Sequence, residues 1–224
     1  MLSETVENYL KAILLLDMKS ARHSVSTGEI AAALSVSPGT VTSMLKTLSD
    51  ANFVNYETYK GVQLSPSGRT VATNVVRRHR LMELFLVRTL ELNWDEVHRE
   101  AEVMEHSVSD HLIDRIDEFL GHPKFDPHGD PIPGADGTFA TRQEGALVDC
   151  KPGTCFRVLR VANQDAAFLR YISEAGLQLD AKGTVVENRP EAGIMGLSLA
   201  EQRITIARES ADDILVAVDH PPTG

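Results

Sequence analysis

Cysteines and long apolar runs are scarce in this sequence. Only Cys150 and Cys155 are present, too few for a disulfide framework or a four-cysteine zinc site, and this is typical of a reducing compartment. No run of 18 apolar residues occurs, which excludes a transmembrane helix. Residues 1–11 carry acids and lack a basic start followed by an apolar segment, so no signal peptide is expected. We therefore expect a cytoplasmic protein that does not act on a membrane.

The negative charge of the chain is unevenly distributed. The net charge is −10 over 224 residues, of which 42% are hydrophobic, enough for two or three small domains. Residues 1–80 hold nine lysines and arginines against six acids, residues 81–142 hold five against fourteen, and residues 143–224 hold eight against twelve. The middle part is thus suited to hold cations, and the mildly basic first part is suited to contact phosphate.

The first part has the pattern of a helix-turn-helix followed by a hairpin. The apolar period and the capping serine and proline residues predict three helices and one hairpin, over 3–17, 27–34, 38–51 and 53–64. The hairpin turns at Lys60-Gly61 and would form the wing of a winged helix. A short helix, a tight turn and a helix that begins with small polar residues favour binding in the major groove of DNA.

The third of these helices would present its polar face to DNA. Val41, Leu45 and Leu48 form its buried stripe. Small hydroxyl side chains allow a close approach to a duplex, while lysines and the amides at the helix start can meet phosphates. The alternative is a plain helical hairpin with a polar face, and the predicted wing weighs against it. The candidate DNA-binding residues are Ser37, Pro38, Gly39, Thr40, Thr42, Ser43, Lys46 and Lys60.

The acidic middle part is predicted to be helical over 66–90, 94–107 and 110–120. Residues of a helix advance by about 100° each, so one face of the second helix would carry His98, Glu102, Glu105 and His106. His79 and Glu83 have the i, i+4 relation on the preceding helix. Carboxylates crowded on one face repel each other, and their burial is unfavourable unless a cation neutralises them. A divalent metal is therefore favoured, and the alternative is a solvated acidic face with incidental histidines.

The remaining segments predict a dimer surface, a loop and a small β domain. The third helix of the middle part has a large apolar surface, which suggests a homodimer interface. Residues 121–141 are rich in proline and glycine and predict a linker or an ordered loop. A small barrel of about five strands with one helical insert over 165–175 is predicted from short β-like runs over 146–150, 155–161, 183–188, 203–207 and 214–218.

Several motifs together resemble the diphtheria toxin repressor family of iron- and manganese-dependent transcriptional regulators, over nearly the whole chain. They are S-P-G-T-V-T at 37–42, L-S-P-S-G-R at 64–69, R-R-H-R-L-M-E-L-F-L at 77–86, E-A-E-V-M-E-H at 100–106 and H-P-K-F-D-P-H-G-D-P-I-P at 122–133. The resemblance implies a mainly α fold with small β parts. Its three domains would be an N-terminal winged helix-turn-helix over 1–65, a helical dimerisation and metal-binding domain over 66–142, and a C-terminal SH3-like β-barrel over 143–224.

The resemblance also implies two neighbouring metal sites. One would use His79, Glu83 and His98. The other would use Glu102, Glu105 and His106 with a side chain from the first helix, Asn8. Some relatives place a ligand pair in the loop, so Asp126 and His128 could serve with Glu83, or they could be turn residues only.

The types of ligand favour Mn²⁺, with Fe²⁺ next. Family members that respond to iron generally have methionine and cysteine at the positions of Asn8 and Glu102, where this sequence has oxygen donors only. Hard oxygen donors with imidazole suit Mn²⁺. Members that respond to manganese often carry acids in the first helix, and here those positions are Asn8 and Lys11. Lys11 cannot be a ligand while it is protonated, so a closely bridged pair of metals is not expected.

The implied function is a metal-activated repressor of metal-uptake genes. It would bind a palindromic double-stranded DNA operator as a dimer, with no enzymatic activity. Metal binding would stabilise the arrangement that binds DNA. Two alternatives remain at this point: a metal-independent winged-helix regulator that senses another small ligand through the barrel, and a metallohydrolase that uses a carboxylate–histidine site.

Overall fold

The computed structural model describes residues 2–20, 24–57, 60–200 and 202–219. The chain forms two compact units. The first unit comprises Met1–His79, Val103–Leu112 and Pro133–Thr138. The second comprises Arg80–Glu102, Ile113–Ile132 and Phe139–Gly224. Within the described ranges, no helix is both long enough and apolar enough to span a bilayer.

The first unit contains the predicted winged helix-turn-helix. Its elements are α1 (Glu4–Lys19), α2 (Thr27–Leu34), α3 (Pro38–Asp50), β1 (Val54–Glu57), β2 (Gly61–Leu64) and the start of α4 (Pro66–Leu90). Serine hydroxyls at the caps accept backbone N–H groups: Ser3 from Val6, Ser26 from Glu29 and Ser37 from Thr40. β1 and β2 pair in antiparallel register from Val54–Leu64 to Glu57–Gly61. Residues 58 and 59 of the predicted wing lie outside the described part of the chain.

The core of the first unit is formed where α1, α2, α3 and the hairpin pack together. Its fully buried side chains include Leu10, Ile13, Ile30, Leu45 and Val62. Gly68 lets α4 begin close to the end of α3, because a Cβ at this position would lie 2.0 Å from the carbonyl oxygen of Phe53. This close packing fixes the start of α4 beside the end of α3.

The helices of the acidic middle part differ from the prediction at one place. α4 ends at Leu90 as expected, and α6 covers Asp110–Phe119, but α5 covers only Val97–Met104. Ser107 donates its backbone N–H to the carbonyl of Met104 at 3.0 Å, a tight turn that ends the α-helical pattern. The prediction that four metal-ligating groups share one face of a single helix is therefore wrong, because Glu105 and His106 lie beyond its end.

The second unit contains a six-stranded antiparallel sheet in the order β3-β8-β4-β5-β6-β7. The strands are β3 (Gly145–Ala146), β4 (Cys155–Val161), β5 (Lys182–Arg189), β6 (Ile194–Leu199), β7 (Gln202–Ala207) and β8 (Ile214–Asp219). Two helices accompany them, α7 (Ala166–Glu174) and α8 (Arg208–Asp212). The predicted helical insert matches α7, whose N-cap is Asp165.

The β domain departs from the prediction in two details. β6 was not expected, since its sequence I-M-G-L-S-L does not alternate and is buried on both faces. The predicted strand over 146–150 is mostly a 3-10 turn, Leu147–Asp149. The core lies between the sheet and α7, around Phe156, Leu169, Ile172 and Met195. The SH3-like class is confirmed, although no strand pairing between β3 and β7 closes the sheet within the described residues.

Candidate metal centre

A buried group of carboxylates and imidazoles lies in the second unit. Glu83 comes from α4, His98 from α5, and Asp126 and His128 from the loop that follows α6. The His98 Nδ1 atom is 3.1 Å from Glu83 Oε1, and the His128 Nδ1 atom is 3.6 Å from Glu83 Oε2. Glu83, Asp126 and His128 are at most 3% exposed and offer ligand atoms that all lie within 4.8 Å of one another. Ligand atoms at this spacing could hold one metal ion.

Two donor atoms of this group lack hydrogen bonds. Among the described residues, neither Asp126 Oδ2 nor His128 Nδ1 makes a hydrogen bond, and both atoms are buried; Arg80 Nε and Glu83 Oε2, respectively, lie 3.6 Å from them. The other nitrogen of the ring, His128 Nε2, donates to the carbonyl oxygen of Trp94 at 2.7 Å. This contact leaves Nδ1 as the ring nitrogen of His128 that could bind a metal ion. A second hydrogen bond of this kind orients the ligating histidine in many metal sites.

The loop that carries Asp126 and His128 is fixed by its own backbone and by β4. Asp126 Oδ1 accepts the N–H groups of His128 and Asp130 at 2.8 and 2.9 Å. The backbone N–H of Val161, in β4, donates to the carbonyl of His128 at 2.9 Å. Asp126 therefore uses one oxygen to shape the turn and directs the other toward Glu83 and His128.

The geometry near Gly129 explains how the loop approaches β4. Gly129 has a φ of +87°, and a Cβ there would lie 2.1 Å from the carbonyl oxygen of Leu159. Arg142 donates to the carbonyls of both Gly129 and Leu159 and lies over the ring of Phe125 at 4.1 Å from its centroid. The loop is thus an ordered part of the second unit and not a linker.

The electrostatics of the group favour bound cations. Burial raises the pKa of Asp126 to about 7, helped by the charges of Glu83 and Asp130 and opposed by Arg80. Burial alone would lower the pKa of His128, but the neighbouring Glu83 and then Asp126 raise it to about 9. The metal-free group therefore retains protons near neutral pH, and a divalent cation can replace them. Open, buried oxygen and imidazole donors of this kind fit a divalent metal ion.

A second group of predicted residues lies in the first unit and is arranged differently. Lys11, on α1, places its Nζ atom 2.9 and 2.8 Å from the two carboxylate oxygens of Glu105. His79 Nδ1 is 2.5 Å from Glu105 Oε2. His106 Nδ1 is 2.6 Å from Glu7 Oε2, and its Nε2 is 2.8 Å from Asn8 Oδ1. In this group, Glu105 contacts Lys11 and His79, and Glu7 contacts His106.

The residues of the predicted metal sets are found in both compact units. Glu83 and His98 lie together in the second unit, where Glu102 Oε1 is also 4.0 Å from His98 Nε2. The third member of that set, His79, lies in the first unit beside Glu105. Asp126 and His128, the loop residues that were considered as further ligands, lie beside Glu83. The assignment of these ligands stays a prediction.

Sequence reasoning missed three supporting residues. Glu7 pairs with His106, Arg80 lies 3.6 Å from Asp126 Oδ2, and the backbone of Trp94 orients His128. The helical spacing of Glu7 and Lys11, at i, i+4 on α1, was available in the sequence. A backbone carbonyl gives no sequence signal, so the role of Trp94 could not be predicted.

The candidate DNA-binding residues lie together at the start of α3. Most of them are exposed, whereas Thr42 is half-buried and donates its hydroxyl to the carbonyl of Pro38 at 2.9 Å. The hydroxyls of Ser37 and Thr40 are 2.8 Å apart. Lys60 is exposed and forms an ion pair of 2.6 Å with Glu57 of the same hairpin. The polar surface expected for contact with a duplex is thus present.

Comparisons with known proteins agree with this architecture. Residues 1–62 match the family described as iron dependent repressor, N-terminal DNA binding domain, and residues 65–134 match its metal binding and dimerisation domain. Residues 146–218 match the FeoA domain. A solved structure described as a manganese-dependent transcriptional repressor in complex with manganese is 38% identical, with a TM-score of 0.87, and the match covers 95% of this chain and 99% of that one.

Curated relatives are similar over different lengths. The transcriptional regulator MntR of Geobacillus kaustophilus is 36% identical over 116 residues, which are 52% of this chain and 80% of that protein. The iron-dependent repressor IdeR of Mycobacterium leprae is 26% identical over 227 residues, covering 96% of this chain and 97% of that protein.

The winged helix, the buried ligand group and the FeoA-like domain define a metal-dependent DNA-binding transcriptional repressor. The chain belongs to the iron-dependent repressor family, the diphtheria toxin repressor family that its motifs resemble. The predicted fold class and class of function are confirmed.

Proposed function

We propose that this chain represses metal-uptake genes in response to Mn²⁺, with Fe²⁺ as the next preferred ion. The observation that carries this proposal is the buried group of Glu83, Asp126 and His128 in the second unit, with its open oxygen and nitrogen donors. His98 completes the group as a fourth ligand at its exposed side. The solved structures described as manganese-dependent transcriptional repressors support the choice of metal.

The chemistry of the donors favours Mn²⁺ over softer ions. The proposed ligands are two carboxylates and two imidazoles, with no sulfur. Hard oxygen donors with imidazole suit Mn²⁺ and Fe²⁺ better than Cu⁺ or other ions that prefer thiolates. The two cysteines lie in the β domain, Cys150 before β4 and Cys155 at its start, and are not part of this group.

We further propose that a dimer binds a palindromic operator. Two copies of α3 would enter the major groove at half-sites separated by about one helical turn or a multiple of it. Ser37, Thr40 and Ser43 would approach the bases or the backbone, and Lys46 and Lys60 would contact phosphates. A DNA target in the cell implies a cytoplasmic protein, and the match to transcriptional regulators supports a role without catalysis.

A DNA-binding titration tests the proposed function. A duplex selected by repeated binding in Mn²⁺ is titrated with the protein, in Mn²⁺ and in chelator, and binding is followed by fluorescence anisotropy. We expect Mn²⁺ to tighten binding, and we expect Glu83→Gln to weaken binding in Mn²⁺ by more than about a hundredfold, because the central ligand loses its charge. The matched control is Glu100→Gln, an exposed carboxylate of α5. Equal affinity of Glu83→Gln and Glu100→Gln in Mn²⁺ would contradict the proposal.

A further inference from the structure

The group in the first unit contains a buried ammonium where the resemblance implies a second metal. Lys11 is 7% exposed and Glu105 is fully buried. The Lys11 Nζ atom lies within 2.9 Å of both oxygens of the Glu105 carboxylate and 3.2 Å from His79 Nδ1. The lysine is therefore in contact with two residues of the predicted metal sets.

An ammonium in this position stabilises the ionised Glu105 carboxylate in the same direction as a metal ion would, with one positive charge in place of two. A buried carboxylate needs a neighbouring positive charge, and Lys11 supplies one at hydrogen-bond distance. A protonated lysine has three donors and no lone pair, so it cannot itself bind a cation. A divalent ion at Glu105 would lie next to this ammonium, and the two positive charges would repel each other strongly in a buried environment.

The other candidate ligands of this group also have internal contacts. Both ring nitrogens of His106 face oxygen atoms, Glu7 Oε2 on one side and Asn8 Oδ1 on the other. Glu7 has a further cationic neighbour, since the Arg78 guanidinium lies 3.8 Å from its Oε1 atom. The two acids of this group, Glu7 and Glu105, thus each have a cationic neighbour in the same unit.

The contrast with the second unit is the decisive observation. There, Asp126 Oδ2 and His128 Nδ1 are buried and make no hydrogen bond among the described residues, since their charged neighbours, Arg80 Nε and Glu83 Oε2, lie 3.6 Å away. Glu83, Asp126 and His128 offer ligand atoms that all lie within 4.8 Å of one another. The open donors fit a metal ion, whereas the residues around Glu105 do not fit one.

We propose that Lys11 is a resident cation of the first unit, in the place that the resemblance gives to a metal at Glu105 and His106. The chain then holds a single metal ion, in the second unit. The link from α1 to the turn after α5 is held by an ion pair and does not need metal. This inference rests on the proposed function, because it presupposes the metal at Glu83.

Counting bound manganese in the full-length protein tests the proposal. The protein is saturated with Mn²⁺ and desalted, and the metal is measured by mass spectrometry. We expect one ion per chain in the wild type, one in Glu105→Gln and none in Glu83→Gln. Two ions in the wild type, falling to one in Glu105→Gln, would overturn the inference and leave the proposed function intact. No bound manganese in the wild type would overturn the proposed function itself.

Thermal unfolding in chelator gives a second readout that does not depend on metal. Lys11→Gln leaves the Glu105 carboxylate buried without its cation, so we expect its midpoint to fall by about 10 °C. The double variant Lys11→Gln/Glu105→Gln removes both charges, and we expect it to regain most of this loss and to bind one manganese ion. Lys19→Gln, at the exposed end of α1, is the matched control. A loss in Lys11→Gln no larger than that in Lys19→Gln would show that the ion pair does not hold the two segments together.

Discussion

His128 shows how one side chain is prepared for a metal. Its ring is stacked on the indole of Trp94, with centroids 6.0 Å apart and planes inclined by 12°. Its Nε2 atom donates a hydrogen bond to the backbone carbonyl of Trp94. The imidazole is thus held in place from its face and from one edge, and only Nδ1 is available to a cation. Since Trp94 is the only tryptophan in the chain, its fluorescence reports on this ring.

Metal affinity should depend on pH in a predictable direction. Because the pKa of Asp126 is about 7 and that of His128 about 9 in the metal-free protein, Mn²⁺ displaces two protons below pH 7 and one between pH 7 and 9. We expect the apparent affinity to rise by about a hundredfold per pH unit below pH 7 and by about tenfold per unit above it. A Mn²⁺ titration followed by Trp94 fluorescence measures this, and an affinity that is constant from pH 6 to 8 would contradict it.

Asp126 and His128 also make the stability of the metal-free protein depend on pH. The pKa of Asp126 is raised from 3.8 to about 7 and that of His128 from 6.5 to about 9, so the folded state binds more protons than the unfolded state within those intervals. The free energy of unfolding contributed by Asp126 therefore decreases from about pH 4 to pH 7, and that contributed by His128 decreases from about pH 6.5 to pH 9. Manganese should raise the free energy of unfolding most near pH 9, where both groups have lost their protons in the metal-free protein.

Lys11 illustrates what the sequence could predict about single residues. Its positive charge was sufficient to exclude it as a ligand and to argue against a bridged pair of metals. Its partner could not be predicted, because Glu105 lies 94 positions further along the chain. A buried ion pair between distant segments leaves no periodic pattern, whereas a pair such as His79 and Glu83 is visible from its spacing on one helix.

At the scale of elements, the loop from α6 to the β domain is the feature that the sequence described least well. Its prolines and glycines indicated a linker or an ordered loop, and the structure shows an ordered loop that carries two candidate ligands. The decisive contacts are backbone hydrogen bonds, such as that from Val161 to His128, and the close approach of Gly129 to Leu159. Composition indicates where a chain turns, but it does not reveal against which strand the turn packs.

Replacing Gly129 tests the importance of that close approach. Gly129→Ala adds a Cβ that would lie 2.1 Å from the Leu159 carbonyl, at a φ of +87°. Gly153 has the same φ of +87° with no atom within 4 Å of the added Cβ, so Gly153→Ala is a control for backbone strain alone. We expect Gly153→Ala to lower the unfolding midpoint by about 2–6 °C, and Gly129→Ala to lower it further and to weaken Mn²⁺ binding by at least about tenfold. Equal effects of the two variants on Mn²⁺ affinity would contradict this role of the loop.

The early end of α5 has a similar explanation. The apolar and acidic period predicted a helix as far as Ser107, and the pattern does continue in the sequence. The chain leaves the helix at Met104, and Glu105 contacts Lys11 instead. The helical pattern therefore predicted about one turn more than the structure has, while α4, with its long apolar face, ends where it was predicted.

At the scale of the whole molecule, the uneven distribution of charge reconciles an acidic protein with a nucleic-acid target. The net charge of −10 would repel DNA, but residues 1–80 have more basic than acidic residues. The three-part organisation and the family were visible from the sequence, because motifs in each part agree with one another. The contacts of the ligand residues, such as that of Lys11 with Glu105, were not, since they join segments far apart in the chain.

The salt dependence of operator binding tests which charges meet phosphate. Each phosphate contact contributes about 0.9 to the slope of log affinity against log salt concentration, and a dimer uses each side chain twice. We therefore expect Lys46→Gln to reduce this slope by about 2, while Lys151→Gln, an exposed charge of the β domain, leaves it unchanged. Binding titrations at several salt concentrations provide the slopes. An unchanged slope for Lys46→Gln would remove Lys46 from the DNA interface.

The ligand group of the second unit draws on α4, α5 and the loop after α6, segments that are far apart in the sequence. An ion bound there would link them and would suppress the local openings on which proteases depend. A cell that is starved of the metal would then contain a repressor that is both inactive and more quickly degraded. The lifetime of the protein would follow the metal supply, in addition to its affinity for DNA.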